Sequence, residues 1–328
     1  RLLRRIRVPL GRGGSRLRAD GGAGVNSQIL NGDWIEQLKT LDSESVQCCV
    51  TSPPYFNLRD YGIAGQIGME SSPQEYCDKL VLGFKEVKRV LRNDGTLWLN
   101  LADSYAGGGR GFGYGGKQDT NKGCEDMPRS IIPAGLKQKD LCGIPWRVAF
   151  ALQADGWYLR QDIIWSKPNP MPESVTDRCT KSHEYIFLLS KSARYYYDNE
   201  AIKETGQIGS PNRMFGAKSQ EGTMRQDIGR TWTDDGTRNK RSVWTVATQP
   251  YKEAHFATFP EEIPRTCILA GSKKGDTILD PFCGSGTTGE VALKLDRNFI
   301  GIELNQKYVN DLIIPRLDNV DPLFRMAE

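Results

Sequence analysis

A strand–turn–helix–strand unit near the C-terminal end constrains the fold of this chain most strongly. Residues 276–305 read DTILDPFCGSGTTGEVALKLDRNFIGIELN, with a tight turn that contains Gly284, Gly286 and Gly289 between an apolar strand and a helix. The second strand ends at Glu303. This order predicts a βαβ unit with parallel strands. The glycines let the backbone approach a ligand closely, and a carboxylate at a strand end can accept hydrogen bonds from ribose hydroxyls.

By spacing alone, the same unit also fits the site of a nicotinamide dinucleotide. The position of the unit in the chain helps to decide between architectures, because the sequence ends at Glu328, too soon after Glu303 to supply the remaining strands. Those strands are therefore expected from the N-terminal part. We predict an α/β fold with an open, mostly parallel, doubly wound sheet that is circularly permuted, so that the nucleotide turn comes last.

Two adjacent prolines follow another apolar run. SVQCCV predicts a short buried strand, and TSPPY, residues 51–55, comes directly after it. A strand cannot continue through Pro53 and Pro54, because each lacks an N–H donor and has a fixed φ angle. TSPPY is thus predicted to be a loop at the carboxyl end of a strand, where open α/β sheets bind ligands, and its strand is predicted to lie beside the glycine turn.

Helices and strands alternate through much of the remaining chain. Ser72 as N-cap, Pro73 in the first turn and Glu75 predict a helix that begins with a capping box and stops at Asn93-Asp94-Gly95. Further helices are predicted from Pro145 to about Asp155 and within 254–272. The predicted strands include TLWLNLAD, QDIIWS, HEYIFLL and, as a hairpin partner of the last, RYYYD.

The composition bounds the kinds of site that the chain can hold. A formal net charge of +4 is only mildly basic, so a site for a polyanion must be local. Eight cysteines without a CxxC pair and only two histidines argue against a zinc site and a disulfide scaffold, so no metal is predicted and a reducing compartment is expected. No apolar run is long enough for a membrane span.

Shifts in composition predict four regions. Residues 1–26 are rich in Arg and Gly and are predicted to be disordered; a mis-assigned start, an organellar presequence and a nucleic-acid-binding arm all remain open for them. Residues 27–200 and 251–328 are predicted to form the two halves of one catalytic domain. Residues 201–250 are polar and basic and are predicted to be an inserted recognition region, with a solvated loop as the alternative.

Together these motifs resemble the DNA amino-methyltransferases that use S-adenosylmethionine. The resemblance rests on DPFCGSGTTG (280–289), GIEL (301–304), TSPPY (51–55) and HFATFP (255–260). ILNGD, WSKPNPMP and SHEYIFLLSKS are also similar to segments of that family, and the likeness covers about residues 28 to 318. The order of the motifs is that of the β arrangement. The resemblance implies a circularly permuted, Rossmann-like methyltransferase fold with an inserted target-recognition region.

The resemblance also implies which residues bind S-adenosylmethionine. Asp280 and the turn backbone would hold the methionine part, Phe282 the adenine and Glu303 the ribose. Core packing is the alternative for Phe282 and Phe259, a structural role for His255, and a helix N-cap for Asp33. The predicted cofactor-binding set is Asp33, His255, Phe259, Asp280, Pro281, Phe282, Gly284, Ser285, Gly286, Thr287 and Glu303.

The TSPPY loop suits the chemistry of an exocyclic amino group, whose lone pair is delocalised into the base and must be localised before methylation. The Ser52 hydroxyl and the Pro53 carbonyl are predicted to accept its two N–H groups, on a loop stiffened by Pro54, with the extruded base stacked on Tyr55. Ser at position 52 resembles the N4-cytosine members of the family. N6-adenine is the alternative, and a nicotinamide dehydrogenase, an RNA or protein-glutamine methyltransferase and a non-catalytic DNA-binding protein are more remote.

The predicted partner is double-stranded DNA, with a cognate restriction endonuclease as a further candidate and a monomer or homodimer as the assembly. A cytoplasmic location is expected, associated with the nucleoid in a prokaryote. Residues 106–140 are predicted to be a long loop that closes over DNA. Basic side chains of the inserted region would contact phosphates and guanine edges. The predicted DNA-binding set is Arg213, Arg225, Arg230, Arg238, Lys240 and Arg241.

Overall fold

The computed structural model describes residues 25–58, 62–107, 132–206, 236–248 and 260–320. The strands are β1 (Ser27–Asn31), β2 (Val46–Thr51), β3 (Leu91–Leu101), β4 (Tyr158–Ser166), β5 (His183–Ser190), β6 (Glu204–Thr205), β7 (Thr237–Arg238), β8 (Val243–Thr245), β9 (Thr277–Asp280) and β10 (Asn298–Glu303). The α-helices are α1 (Trp34–Lys39), α2 (Pro73–Val90), α3 (Ile144–Ala154), α4 (Glu262–Gly271), α5 (Thr287–Lys294), α6 (Gln306–Tyr308) and α7 (Ile314–Asp318), with a π-helical stretch (Val309–Ile313) between the last two.

Eight of these strands form one open sheet in the order β1-β10-β9-β2-β3-β5-β4-β8. The pairs from β1 to β3 are parallel, β5 is antiparallel to both β3 and β4, and β8 is parallel to β4. The predicted open, mostly parallel sheet is therefore confirmed. Strands β6 and β7 form a separate antiparallel ribbon.

Strand β9 of the last βαβ unit lies directly beside β2. Cys48 pairs with Ile278 and Cys49 with Leu279, in parallel. Since both strands run the same way, their carboxyl ends meet at one edge of the sheet. The predicted adjacency of the TSPPY strand and the glycine turn is thus confirmed, and it follows from the permuted order of the motifs.

Helices cover both faces of the sheet, as a parallel sheet requires. On one face, α1, α2 and α3 bury Trp34, Phe84 and Val148 in a common cluster. On the other face, α4, α5 and α7 pack their apolar side chains against alternate residues of the strands. All six residues of β2 are buried, including Gln47, which explains why the strand is mostly apolar on both faces rather than alternating.

Helix α2 begins as predicted, although its capping bonds differ in detail. The Ser72 hydroxyl accepts the backbone N–H of Glu75 at 3.2 Å. The Glu75 carboxylate accepts the backbone N–H of Ser71 at 3.0 Å rather than that of Ser72. The predicted stop is too late: α2 ends at Val90, and β3 begins at Leu91. The turn signal at residues 93–95 falls inside the exposed start of β3.

The predicted strand RYYYD is wrong, because residues 194–198 are not part of a strand. Both edges of β5 are already occupied, by β3 on one side and β4 on the other. The segment is instead held by single backbone bonds, from Tyr196 N–H to the Asp94 carbonyl at 2.9 Å and from Asp198 N–H to the Ala270 carbonyl at 2.8 Å.

The predicted division into four regions stays a prediction. Residues 1–24, most of the predicted long loop (108–131) and most of the inserted region (207–235) lie outside the described residues. Within the described part, the ribbon β6–β7 joins the two ends of the inserted region, and β8 belongs to the main sheet. No helix in the described ranges is long and apolar enough to cross a membrane.

A close contact between α1 and α2 gives a test of this packing. A methyl group at Gly83 in α2 would lie 1.9 Å from Cη2 of Trp34. Helix propensity alone predicts that Gly83→Ala stabilises the protein, whereas overpacking against Trp34 predicts a loss of about 1–3 kcal/mol in the free energy of unfolding. We expect the loss, measured by urea unfolding. Leu82→Ala, at the neighbouring solvent-facing position, should change stability little, and a stabilised Gly83→Ala variant would contradict the packing.

Candidate active site

The side chain of Asp280 joins the two motifs at the carboxyl ends of β9 and β2. One carboxylate oxygen accepts the Thr51 hydroxyl at 2.7 Å and the backbone N–H of Phe282 at 3.1 Å. The other oxygen accepts the Thr288 hydroxyl at 2.7 Å. Asp280 is only 1% exposed, so these bonds satisfy a carboxylate that has almost no access to water. In this arrangement Asp280 fixes the backbone on both sides of the site.

Burial sets the ionisation of this carboxylate. It raises the pKa of Asp280 to about 6, and the bonds from Thr51, Thr288 and Phe282 offset only part of that effect. Desolvation disfavours the charged form, whereas donors to the carboxylate favour it. At neutral pH the group is therefore a buried anion held by neutral donors.

The glycine turn has the backbone conformation that its sequence predicts. Gly284 and Gly286 have φ angles of +55° and +82°, in the left-handed region that favours glycine. Gly289 lies in α5, where an added methyl group would come within 2.4 Å of the Phe299 ring of β10. The first two glycines thus shape the turn, and the third lets the helix pack closely on the strand.

Glu303, the predicted ribose ligand, faces this turn from the end of β10. Its carboxylate accepts the backbone N–H of Gly284 at 2.9 Å through one oxygen and that of Asn305 at 2.9 Å through the other. Burial raises the pKa of Glu303, and the backbone donors partly offset the effect. Because each carboxylate oxygen has two acceptor positions, one remains on each oxygen for a diol. The geometry therefore fits a ribose.

Two residues of the predicted cofactor set have side chains engaged elsewhere. The Ser285 and Thr287 hydroxyls both accept from the Arg316 guanidinium, at 3.3 and 3.0 Å. Arg316 also pairs with Glu290 of α5. Arg316 therefore fixes the start of α5 from the C-terminal helices.

Phe282 follows β9 and Asp33 follows β1, and both lie against α1. The partly buried Phe282 ring packs on Trp34 of α1, with centroids 4.6 Å apart. Asp33 is exposed and caps α1, since its Oδ1 accepts the backbone N–H groups of Ile35 and Glu36 at 2.9 and 3.1 Å. The N-cap alternative for Asp33 thus describes its contacts in this structure, and its predicted role towards adenine stays a prediction. Pro281, the residue before Phe282, is buried.

The TSPPY loop places its side chains in a polar cluster above β2, β3 and β5. The Ser52 hydroxyl donates to the Tyr55 hydroxyl at 3.1 Å, and Tyr55 donates to Glu184 Oε2 at 2.7 Å. Asn100 Nδ2 donates to the Tyr55 hydroxyl at 2.8 Å and to Glu184 Oε2 at 2.9 Å. Lys167 forms an ion pair with Glu184 Oε1. The loop is therefore anchored by side chains from β3, from β5 and from the residue that follows β4.

The two prolines of the loop differ in their surroundings. The Pro54 carbonyl accepts the Tyr76 hydroxyl at 2.8 Å, which ties the loop to α2. Among the described residues, no hydrogen bond is made to the Pro53 carbonyl, and Ser52 is partly exposed. These two oxygens are the predicted acceptors for the target amino group, and they lie on adjacent residues of a rigid loop.

Several predicted residues cannot be placed. His255, Phe259, Arg213, Arg225 and Arg230 lie outside the described residues. The other three predicted DNA-binding residues lie inside the inserted region, in its described C-terminal part. Arg238 and Arg241 both pair with Glu204, at 2.8 and 2.5 Å, and Lys240 lies 5.4 Å from the Trp244 ring centroid. They brace the base of the inserted region, and their predicted contacts with DNA stay a prediction.

Four residues of the site were not predicted: Asn100, Lys167, Glu184 and Arg316. Asn100 and Glu184 are 4% and 8% exposed. Asn100 lies between two leucines of β3, and a polar residue inside an apolar run is a signal of a satisfied buried site that could have identified it. Glu184 comes before the apolar run of β5 and carries no such signal. Lys167 and Arg316 carry no such local signal, because they reach the site through the tertiary fold.

With this geometry established, comparison with known proteins identifies the family. The model of the DNA methylase family, which covers N6- and N4-methylating enzymes, matches residues 46–314. The chain belongs to the DNA methylase family. It is 50% identical over 293 residues to the type II methyltransferase M.Cfr9I of Citrobacter freundii, across 89% of this chain and 88% of that protein. It is 51% identical over 283 residues to M.SmaI of Serratia marcescens, across 86% and 88%.

Solved structures agree with this family at the level of the fold. The PvuII DNA methyltransferase (cytosine-N4-specific) has a TM-score of 0.59 at 18% identity, with 93% of this chain and 95% of that chain covered. A DNA modification methylase of Thermus thermophilus, TTHA0409, complexed with S-adenosyl-L-methionine, has a TM-score of 0.56 at 22% identity, with 90% and 94% covered. The predicted family, fold and cofactor are thus confirmed: this methylase is a DNA methyltransferase of the N4/N6 family that uses S-adenosylmethionine.

The buried Asp280 should make the stability of this methylase depend on pH. An aspartate in an unfolded chain has a pKa near 3.9, so folding raises the pKa and disfavours the ionised form. The resulting cost is full above the folded pKa and is relieved as the pH falls through about 6. From about pH 7 to about pH 5, the wild type should gain about 1 kcal/mol of unfolding free energy relative to Asp280→Asn. Urea unfolding at both pH values measures this difference.

The exposed Asp311→Asn variant is the control for this experiment, and its difference from the wild type should not change with pH. An Asp280→Asn difference that is equal at both pH values would contradict the assignment of a buried, pKa-raised carboxylate.

Proposed function

We propose that this methylase transfers a methyl group from S-adenosylmethionine to the N4 amino group of a cytosine that is flipped out of duplex DNA. The observation that carries the proposal is the junction of β2 and β9. Thr51, next to Ser52, is bonded to Asp280 at the start of the glycine turn at 2.7 Å. A loop with two fixed acceptors for an amino group therefore adjoins the turn that fits the cofactor.

Ser52 and Pro53 would act on the electrons of the amino nitrogen. The nitrogen lone pair of cytosine is delocalised into the ring, which makes the group a poor nucleophile. Acceptors at the Ser52 hydroxyl oxygen and the Pro53 carbonyl would hold both N–H bonds and draw the nitrogen towards tetrahedral geometry, so that its lone pair points out of the ring plane. When bound, S-adenosylmethionine would supply an electrophilic methyl group on a sulfonium that is its own leaving group, so the C–S bond would break as the C–N bond forms. The methylated nitrogen would then release one proton to water.

The other side chains would hold the two substrates. Glu303 would accept the ribose hydroxyls, Phe282 would pack on the adenine of the cofactor, and the backbone of residues 284–287 would contact its methionine part. Tyr55 would offer a ring face to the flipped base, because a base paired inside the duplex cannot reach a protein-bound cofactor. His255 and Phe259 are proposed to close the methionine end, and Asp33 to contact the adenine amino group.

Cytosine is favoured over adenine as the target by the residue at position 52. A serine hydroxyl at this position resembles the N4-cytosine members of the family, and a structural neighbour is described as cytosine-N4-specific. N6-adenine methylation is the second candidate, since both bases present an exocyclic amino group with similar hydrogens.

The proposed substrate is a specific site in double-stranded DNA. The curated relatives are type II methyltransferases, which supports a role in restriction–modification and a cognate endonuclease as partner. Residues 201–250 are proposed as the target-recognition region between two halves of the catalytic domain, 27–200 and 251–328. Its basic residues would contact phosphates and guanine edges.

Product analysis tests the function directly. Duplex DNA incubated with the methylase and a labelled methyl donor should yield N4-methylcytosine on digestion and mass spectrometry. Ser52→Ala should bind the cofactor normally and lower the rate of methyl transfer by about 100-fold, because it removes one of two acceptors at the reacting nitrogen. N6-methyladenine as the product would replace the proposal with the second candidate. Unmethylated DNA, or full activity of Ser52→Ala, would refute the assigned chemistry.

The ribose assignment predicts a separate effect on binding. Glu303→Gln removes the charge of the acceptor, so the dissociation constant for S-adenosylmethionine should rise by about 10- to 100-fold in isothermal titration calorimetry. Glu262→Gln, exposed on α4, is the control and should bind as the wild type does. An unchanged constant for Glu303→Gln would place the ribose elsewhere.

A further inference from the structure

Two segments that resemble the family contribute an ion pair to the site, and this pair has no role yet in the proposed chemistry. WSKPNPMP contributes Lys167, just after β4, and SHEYIFLLSKS contributes Glu184, at the start of β5. Because β4 and β5 are antiparallel, the end of the first and the start of the second lie at the same edge of the sheet. That edge also holds the TSPPY loop, and both side chains reach it.

The charges of this pair are almost fully removed from water. The Glu184 side chain is 10% exposed and that of Lys167 is 19% exposed, and Lys167 Nζ also lies 4.4 Å from the centroid of the Trp165 ring. A buried carboxylate without a partner would be strongly unfavourable, so Lys167 makes an ionised Glu184 possible here. The two carboxylate oxygens are then used differently: Oε1 faces Lys167, and Oε2 faces Tyr55 and Asn100.

Counting the hydrogens in this network fixes the direction of the Tyr55–Glu184 bond and, given the contact between Ser52 and Tyr55, assigns that of the Ser52–Tyr55 bond. An ionised carboxylate can only accept, so the Tyr55 hydroxyl must donate its one hydrogen to Glu184. The Tyr55 oxygen can then only accept, and it accepts the Ser52 hydroxyl at 3.1 Å. The only hydroxyl hydrogen of Ser52 is thereby committed to Tyr55. Ser52 Oγ also accepts a long hydrogen bond from Asn100 Nδ2 at 3.4 Å. Its remaining lone pair is what Ser52 presents to the site, and an amino N–H requires such an acceptor.

The protonation state of Tyr55 agrees with a hydroxyl that donates to Glu184. Burial, and next the nearby Glu184 charge, raise the pKa of the Tyr55 hydroxyl well above its usual range. Tyr55 is therefore protonated at neutral pH and retains the hydrogen that it donates to Glu184.

Asn100 adds a second, independent sign of the same direction. Its Nδ2 donates to Tyr55 and Glu184 and, at 3.4 Å, to Ser52, while its Oδ1 is buried and has no hydrogen-bond partner among the described residues. The reverse orientation of the amide would set its carbonyl oxygen against the Glu184 carboxylate. An unpaired buried carbonyl is costly, so its presence indicates that the donors of Asn100 are needed where they point.

We infer that Glu184, held ionised by Lys167, is a positioning residue that sets the hydrogen-bond direction through Tyr55, so that Ser52 accepts a hydrogen from the target amino group. Glu184 itself does not touch the base. The inference deepens the proposed function and rests on it. It applies equally to a cytosine or an adenine amino group, because each presents N–H donors to Ser52.

A single isosteric change should reverse this direction. In Glu184→Gln, Lys167 attracts the new carbonyl oxygen, which turns the amide NH₂ towards Tyr55. Tyr55 would then have to accept from Gln and donate to Ser52, and the Ser52 hydrogen would face the base as a second donor. We expect a fall of about 100-fold in the single-turnover rate of methyl transfer, with the dissociation constants for DNA and S-adenosylmethionine unchanged.

Removing Lys167 from that variant should restore activity. In Glu184→Gln/Lys167→Met no cation holds the carbonyl oxygen, so the amide can turn its oxygen towards Tyr55 and re-establish the original direction. The double variant should regain about tenfold in rate over Glu184→Gln. A purely structural role for the ion pair predicts the opposite, because the second change removes further packing and charge. The matched control is Glu173→Gln, which alters a different ion pair, between Glu173 and Arg178 in the segment that joins β4 to β5.

Tyr55→Phe keeps the test decisive if the Gln variants do not fold. It removes only a hydroxyl and breaks the chain between Glu184 and Ser52, so its rate should fall to a similar extent. A Glu184→Gln rate within about threefold of the wild type, a double variant no faster than Glu184→Gln, or a fully active Tyr55→Phe would each overturn the inference. Failure of the proposed function is a separate result, since it appears as wild-type protein that does not methylate DNA.

Discussion

The hydrogen bonds to the Asp280 carboxylate are the interaction on which the rest of the site depends. Asp280 ends β9 and receives the Thr51 hydroxyl from the end of β2, so one buried side chain joins segments that are 229 residues apart in sequence. A buried carboxylate is stable only when donors surround it, and the donors here are the elements that must stay together. The same bond that satisfies Asp280 therefore sets the separation between the amino-group loop and the cofactor turn.

On either side of this junction, the site uses buried acidic groups for different purposes. Glu303 holds the Gly284 turn and retains acceptor positions for a diol. Glu184 is paired with Lys167 and acts on Ser52 through Tyr55. Its role is to set the direction of the hydrogen bonds, not to place a charge beside the base. Burial makes each arrangement specific, because in a poorly solvated site every donor must have an acceptor. No side-chain base is needed at the amino nitrogen of the target base, because hydrogen-bond acceptors alone favour its tetrahedral geometry.

Much of this site follows from the sequence, because its motifs are local. The glycine turn, the proline loop and their adjacency are predicted from short segments and from the rule that open sheets bind ligands at strand ends. Asn100 and Glu184 were missed because each is a single residue without a spacing pattern, and only the tertiary fold brings them to the TSPPY loop. The strand predicted at 194–198 was wrong because local β propensity does not show that both edges of β5 are taken. The roles of His255 and Phe259 remain predictions.

The central claim is that Ser52 and the cofactor turn act on one nitrogen. A crystal structure of the methylase with duplex DNA and a non-reactive analogue of S-adenosylmethionine measures this most directly. We expect the amino nitrogen of a flipped base within hydrogen-bond distance of Ser52 Oγ, and the analogue bound between Phe282 and Glu303 with its donor end about 3–3.5 Å from that nitrogen. A base held away from Ser52, or an analogue bound away from the β2–β9 junction, would contradict it.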